Sequence, residues 1–161
     1  MGWVTYSLRK KTLKARRQSL NYRLMQIQSE LQSFQSMKTY KAEMLATNKQ
    51  EIMTNIDNKY NYIINSLSRQ AANSSTSQAN QNQINQQITE YQQQQKTEQQ
   101  YYESLFTRLE QQQLREAQRK ESYLEMQQEQ IQTQLEAAKA EYDQYGQAIS
   151  DSIQEGAIKL A

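Results

Sequence analysis

The sequence predicts an all-α protein: a long antiparallel helical hairpin, coiled-coil-like, that assembles into a larger helical oligomer or filament. Three observations carry this. Helix breakers are nearly absent: there is no proline, and the three glycines stand at positions 2, 146 and 156. Apolar residues recur at the spacing of a helix seam on both sides of an Asn/Ser-rich stretch near the middle. The two ends carry opposite charge. A compact α/β or all-β domain needs turn residues that this chain lacks. Apolar residues make up only 36 % of the chain and the mean hydropathy is −1.05. The organisation read from this is a first helical arm over 1–71, a bend over 72–83 and a second arm over 84–161.

The first arm opens on Trp3, Val4, Tyr6 and Leu8, with Thr5 or Ser7 as candidate N-caps. A basic run follows: Arg9, Lys10, Lys11, Lys14, Arg16 and Arg17. Leu13, Leu20, Ile27 and Phe34 fall seven apart, and Leu24 and Leu31 complete an a/d seam, with Arg17 as its early exception. The seam weakens at residues 37–41, where a kink or phase change is expected. It resumes at Leu45, Ile52, Ile56, Tyr60, Ile63, Leu67 and Ala71 with spacings closer to an eleven-residue repeat. The bend is rich in Asn and Ser, which compete for backbone hydrogen bonds, and Ser75 with Gln78 fits a capping box. Since neither Gly nor Pro enforces the turn, one continuous helix is the alternative.

The second arm opens with Ile84, Ile88 and Tyr91. Gln95 and Glu98 then occupy seam positions, which predicts the loosest part of the structure. Tyr102, Leu105 and Leu109 restore the seam, the phase slips over 111–117, and a clean seam returns with Leu124, Ile131, Leu135, Ala138, Tyr142, Tyr145, Ile149 and Ile153. Gly146 is expected to interrupt the helix and Gly156 to end it, leaving 157–161 as an apolar tail. Glutamine is the commonest residue; interleaved charges and periodic apolar residues favour a solvated helix face over an aggregating segment.

Folding the chain so that residue i lies opposite 155 − i sets Leu67 against Ile88, Ile64 against Tyr91, Leu31 against Leu124, Leu24 against Ile131 and Leu20 against Leu135. Leu13 meets Tyr142 and Tyr6 meets Ile149. A register shifted by seven scores similarly. Residues 1–41 carry nine Lys/Arg and one acid, a net of +8; residues 121–161 carry eight acids and two lysines, a net of −6. Antiparallel arms then bring Arg9, Lys10, Arg16 and Arg17 beside Glu136, Glu141 and Asp143. Such pairs fix orientation more than stability, at about 0.2–1 kcal/mol each. One narrow seam leaves apolar residues off it. Trp3, Tyr22, Tyr62, Tyr101, Phe106 and Tyr123 are the candidate subunit interface, because tyrosine suits surfaces between subunits.

Chemistry finds no constellation. Without cysteine or histidine there is no thiolate, no disulfide and no imidazole base or ligand, so no catalytic, cofactor or metal site is expected. The acidic group at 136–143 reads as a solvated face. No apolar run reaches the roughly 18–20 residues of a membrane span, no apolar region follows the first basic cluster, and Tyr6 stands where myristoylation wants Ser or Thr. The basic run has three readings: the chain's own acidic end, which needs no outside partner and is preferred; an anionic membrane surface; and, last, nucleic acid.

Amphipathic terminal helices, no cysteine or proline and abundant Gln, Asn and Ser make both arms resemble secreted helical filament subunits, such as the core of flagellins and the needle or sheath filaments of type III secretion systems. The basic N-terminal run and the lack of a variable middle domain depart from that pattern. The resemblance implies extracellular placement, by export without a cleavable signal, and polymerisation through the terminal helices. The expected function is therefore a structural, self-assembling coiled-coil subunit whose partners are copies of itself. The alternatives are a coiled-coil adaptor or chaperone for a different helical protein, and a peripheral membrane-surface protein held by its basic N-terminus.

Overall fold

The computed structural model describes the backbone of residues 3–73 and 77–159, with side chains for 4–73 and 77–156. It is all-helical: α1 spans Trp3–Ala71 and α2 spans Gln78–Lys159, and the two pack against each other as a hairpin. No strand occurs among the described residues. The single continuous helix is thereby set aside.

The bend is shorter than the sequence suggests. α1 closes with the Ala72 amide on the Ser68 carbonyl at 3.0 Å and the Asn73 amide on the Gln70 carbonyl at 3.3 Å, a tightened last turn. Ser77 caps α2: its Oγ accepts from the Asn80 amide at 3.4 Å, and its carbonyl accepts the first helical bond from Gln81 at 2.9 Å. Residues 78–83 thus belong to α2, and the cap sits two residues beyond Ser75, which lies outside the described residues. Thr5 and Ser7 are interior to α1 rather than caps.

Neither glycine breaks α2, which runs through Gly146 and Gly156 to Lys159. A mid-helix glycine costs about 1 kcal/mol; at Gly146 the half-buried Tyr142, Tyr145 and Ile149 flank it in the seam. No described residue has a positive φ. The side chains of the tail at 157–161, like that of Trp3, lie outside the description. Polar Thr and Ser within the helices fold back onto the carbonyl four residues earlier, as Thr54 does to Gln50 and Ser68 to Ile64, both at 2.8 Å.

The chain divides into two compact units, one of Met1–Ser36 with Gln118–Ala161, the other of Met37–Ala117. In the first, both helices follow a seven-residue period. On α1 the buried or half-buried positions include 6, 10, 13, 17, 20, 24, 27, 31 and 34; on α2 they include 121, 124, 128, 131, 135, 138, 142, 145, 149 and 152. Leu13, Leu20 and Ala138 form the buried cluster, with Ile131, Leu135, Tyr142 and Tyr145 packed on it. Leu124 is fully enclosed.

In the second unit both helices follow an eleven-residue period. On α1 the covered positions include 38, 45, 49, 52, 56, 60, 63, 67 and 71, with 53, 57 and 64 half-buried beside them; on α2 they include 84, 88, 91, 95, 99, 102, 106, 113 and 117, with 81 and 98 half-buried beside them. Eleven residues in three turns average 3.67 per turn, close to the unstrained 3.6. The units therefore divide where the period changes, at 36/37 on α1 and 117/118 on α2. The helix itself is unbroken at 37–41; the phase moves and the backbone does not stop.

Truncating the enclosed Leu124 to Ala is expected to cost about 2–5 kcal/mol, whereas Leu114→Ala, at an exposed site, is expected to cost no more than about 0.5 kcal/mol. Urea unfolding followed by circular dichroism checks both.

Candidate functional site

The side chains that set which residues of the two helices lie level are the ones that cross the seam. In the unit of Met37–Ala117 these crossings are polar. Asp57 Oδ1 accepts from the Gln95 amide at 2.8 Å and from the Gln99 amide at 2.7 Å. Glu98 Oε2 accepts from the Tyr60 hydroxyl at 2.8 Å and from the Lys59 ammonium at 3.1 Å. Gln95 and Glu98 therefore do not loosen the seam. Each is held by a partner across it, and no buried side-chain N or O lacks a partner among the described residues. Pairing of i with 155 − i sets Asp57 opposite Glu98 and Tyr60 opposite Gln95. The observed partners lie within one helical turn of these, and a shift by seven does not fit them.

This network perturbs its members. The Tyr60 hydroxyl and then the Lys59 ammonium hold the Glu98 carboxyl below the ordinary carboxylate range. The hydrogen bond to Glu98, followed by burial, pushes the Tyr60 phenol up. Lys59 is also raised, first by its hydrogen bond to Glu98.

In the unit of Met1–Ser36 with Gln118–Ala161 the crossings are cations on tyrosine. Lys10 Nζ lies 4.8 Å above the centre of the Tyr142 ring and the Arg17 guanidinium 5.2 Å from it. Arg9 donates loosely to the Tyr145 hydroxyl at 3.5 Å, and the Tyr6 and Tyr145 rings meet at 5.9 Å. Gly146 lies beneath Lys10: a Cβ there would stand 3.3 Å from Nζ. These contacts again lie within about a turn of the 155 − i pairing. They explain how Arg17 occupies a seam position. Its charge rests on a ring face, where a cation–π contact is worth about 0.5–1 kcal/mol at such partly exposed sites.

The expected ion pairs between Arg9, Lys10, Arg16, Arg17 and Glu136, Glu141, Asp143 are a correction. Among the described residues none of these basic groups comes within 4 Å of those acids, and all three acids are exposed. Tyr142 and Tyr145 reach the basic heads first because they stand in the seam, and the acids stand off it.

The remaining expected positions divide cleanly. Leu13, Leu20, Ile27 and Leu124 are buried; Leu24, Leu31, Ile64, Leu67, Ile88, Tyr91, Ile131, Leu135, Tyr142 and Ile149 are half-buried. Of the candidate subunit interface, Tyr22, Tyr62, Tyr101 and Tyr123 are exposed, Tyr62 at 79 %. Phe106 is corrected: it is 4 % exposed and belongs to the core, while Leu105 and Leu109 are 37 % and 38 % exposed. The eleven-residue period puts position 106 in the seam where a heptad puts 105. Asp57, Lys59 and Gln99 were not singled out from the sequence; that same period extended to α2 would have found Gln99.

No group of His, Cys, Asp and Glu able to hold a metal occurs among the described residues, and no described helix is long and apolar enough to cross a membrane. No family model matches the chain, nor does any curated protein or solved structure.

Two outcomes are expected. A double-mutant cycle of Arg17→Ala with Tyr142→Leu should give a coupling of about 0.5–1 kcal/mol, and Arg17→Ala with Glu141→Gln none, both read from denaturant unfolding. For Glu98, a depressed pKa means its stabilisation is complete above the ordinary carboxylate value of 4.5 and is lost as pH falls through the lower folded-state value. The stability gap between the native chain and Glu98→Gln should therefore be flat near neutrality and shrink in acid. Above pH about 10 it should shrink again as the raised Tyr60 and Lys59 titrate. Thermal melts across pH check both limbs.

Proposed function

We propose that this chain is a structural, self-assembling coiled-coil subunit of a filament or helical oligomer, with copies of itself as its partners and no enzymatic role. One observation carries the reading: among the described residues more large apolar side chains are exposed, fifteen, than hydrophobic residues are buried, eleven. Two helices with one seam cannot cover their own apolar side chains, and association with further helices does so.

The exposed tyrosines at 22, 62, 101 and 123 suit that role, since each offers an apolar ring and a polar tip to a neighbouring subunit. The resemblance to secreted filament subunits adds an extracellular site of assembly. A second reading rests on Val4 and Leu8, exposed beside Arg9, Lys11 and Lys14, which suit an anionic membrane surface. An adaptor that binds a different helical protein would use the same apolar surface.

The deciding experiment is light scattering with size-exclusion chromatography over rising concentration. The expected result is a mass that climbs above that of one chain, with ordered particles in negative stain. A monomer that persists at high micromolar concentration contradicts the proposal. Flotation with anionic vesicles, lost when residues 9–17 are neutralised, would favour the membrane reading instead.

A further inference from the structure

In the unit of Met37–Ala117, two rows of exposed apolar side chains run into one groove. On α1, Met37, Tyr40 and Met44 follow each other at three and four residues; on α2, Tyr101, Leu105 and Leu109 follow at four and four. Those spacings place each set along one side of its helix, and every member is more than a third exposed. Met44 and Leu109 come together on the two banks of a groove of about 380 Å³.

The groove has a cause in the sequence. Continuing the eleven-residue period calls for seam residues at positions 41 and 110. These are Lys41 and Glu110, which are charged and remain exposed. The seam is left unfilled on both helices at nearly the same level, and the neighbouring apolar side chains open to the outside. Lys41 lines one bank and Glu116 the other, and among the described residues neither is in an ion pair.

We infer that a second copy of this chain seats its own groove on this one, about a twofold axis running along the hairpin. This rests on the self-assembly reading above and specifies its contact. That axis lays α1 of one copy on α2 of the other, with the level of each residue kept. Lys41 then faces Glu116 of the second copy twice over, and Met44 meets Leu109 of the second copy. A twofold axis across the hairpin would instead lay α1 on α1 and bring like banks together. The opposite charges of the two banks therefore select the first arrangement, an isologous contact of four helices in which every neighbour is antiparallel.

The test uses the full chain and sedimentation velocity. Met44→Glu with Leu109→Glu is expected to weaken self-association by about tenfold or more, since it would bury unpaired carboxylates. Leu114→Glu, five residues past Leu109 and on another side of α2, is expected to leave association unchanged, and circular dichroism verifies that all variants keep their helix. Independently, Lys41→Glu and Glu116→Lys should each associate more weakly alone. An equimolar mixture of the two should recover association, because each mixed pair regains two opposite-charge contacts. Wild-type association with no loss in the Met44/Leu109 variant, or with no recovery on mixing, overturns this contact and leaves the self-assembly reading standing. A wild-type chain that stays monomeric overturns both.

Discussion

The seam between α1 and α2 is the contact on which the rest of this structure depends. It is narrow: among the described residues only Leu124 is wholly enclosed. A fully buried aliphatic side chain contributes about 1.5–3 kcal/mol, and most seam residues here are only half-covered. Nothing behind the seam adds a second layer. The alignment of the two helices therefore matters more than in a globular core, because a slip leaves the covered positions facing polar ones. The crossings from Asp57 to Gln95 and Gln99, from Tyr60 and Lys59 to Glu98, and from Lys10 and Arg17 to Tyr142 hold that alignment. Their directionality supplies what a narrow apolar stripe lacks.

The chain uses two solutions to the same packing problem. Over 6–34 and 121–152 the covered residues keep a seven-residue period in both helices; over 45–71 and 84–117 they keep an eleven-residue one. Matched periods are needed because each helix must present its stripe to the other continuously. A heptad drifting against a hendecad would turn the stripes apart within a few turns. The eleven-residue unit carries Gln95 and Gln99 in its seam, and it tolerates them because each donates to Asp57 across it. Where that period is answered by Lys41 and Glu110, the seam is unfilled and a groove results.

Most of the architecture was legible in the sequence. The absence of proline, the helix-forming composition and the spacing of Leu13, Leu20, Ile27, Leu124, Ile131 and Leu135 specify two helices and their facing stripes, with the register open to shifts of seven; the crossings at Asp57 and Glu98 choose among those shifts. What stayed hidden has physical reasons. In α2 between Tyr91 and Ala117, glutamines stand at seam positions, so hydrophobicity alone does not reveal the period, and Leu105 and Phe106 compete as neighbours. Counting charge brings the basic run to the acids, but side-chain reach and seam position bring it to Tyr142 and Tyr145. The cap at Ser77 rather than Ser75 is a choice among near-equivalent hydroxyls that local sequence does not rank. Which outer side chains meet a neighbouring copy is legible only once the seam has claimed its own, as Phe106 shows.

The most direct test is a distance within one molecule. Because the chain has no cysteine, Arg23→Cys and Gln132→Cys introduce the only thiols, at exposed positions that the 155 − i pairing makes level. Spin labels there, with the labelled chain diluted into excess unlabelled chain, report the separation inside a single copy. Helix axes packed about 8–10 Å apart require a short separation that persists on dilution. A separation approaching the about 160 Å that a continuous helix imposes between these residues would contradict the hairpin and everything built on it.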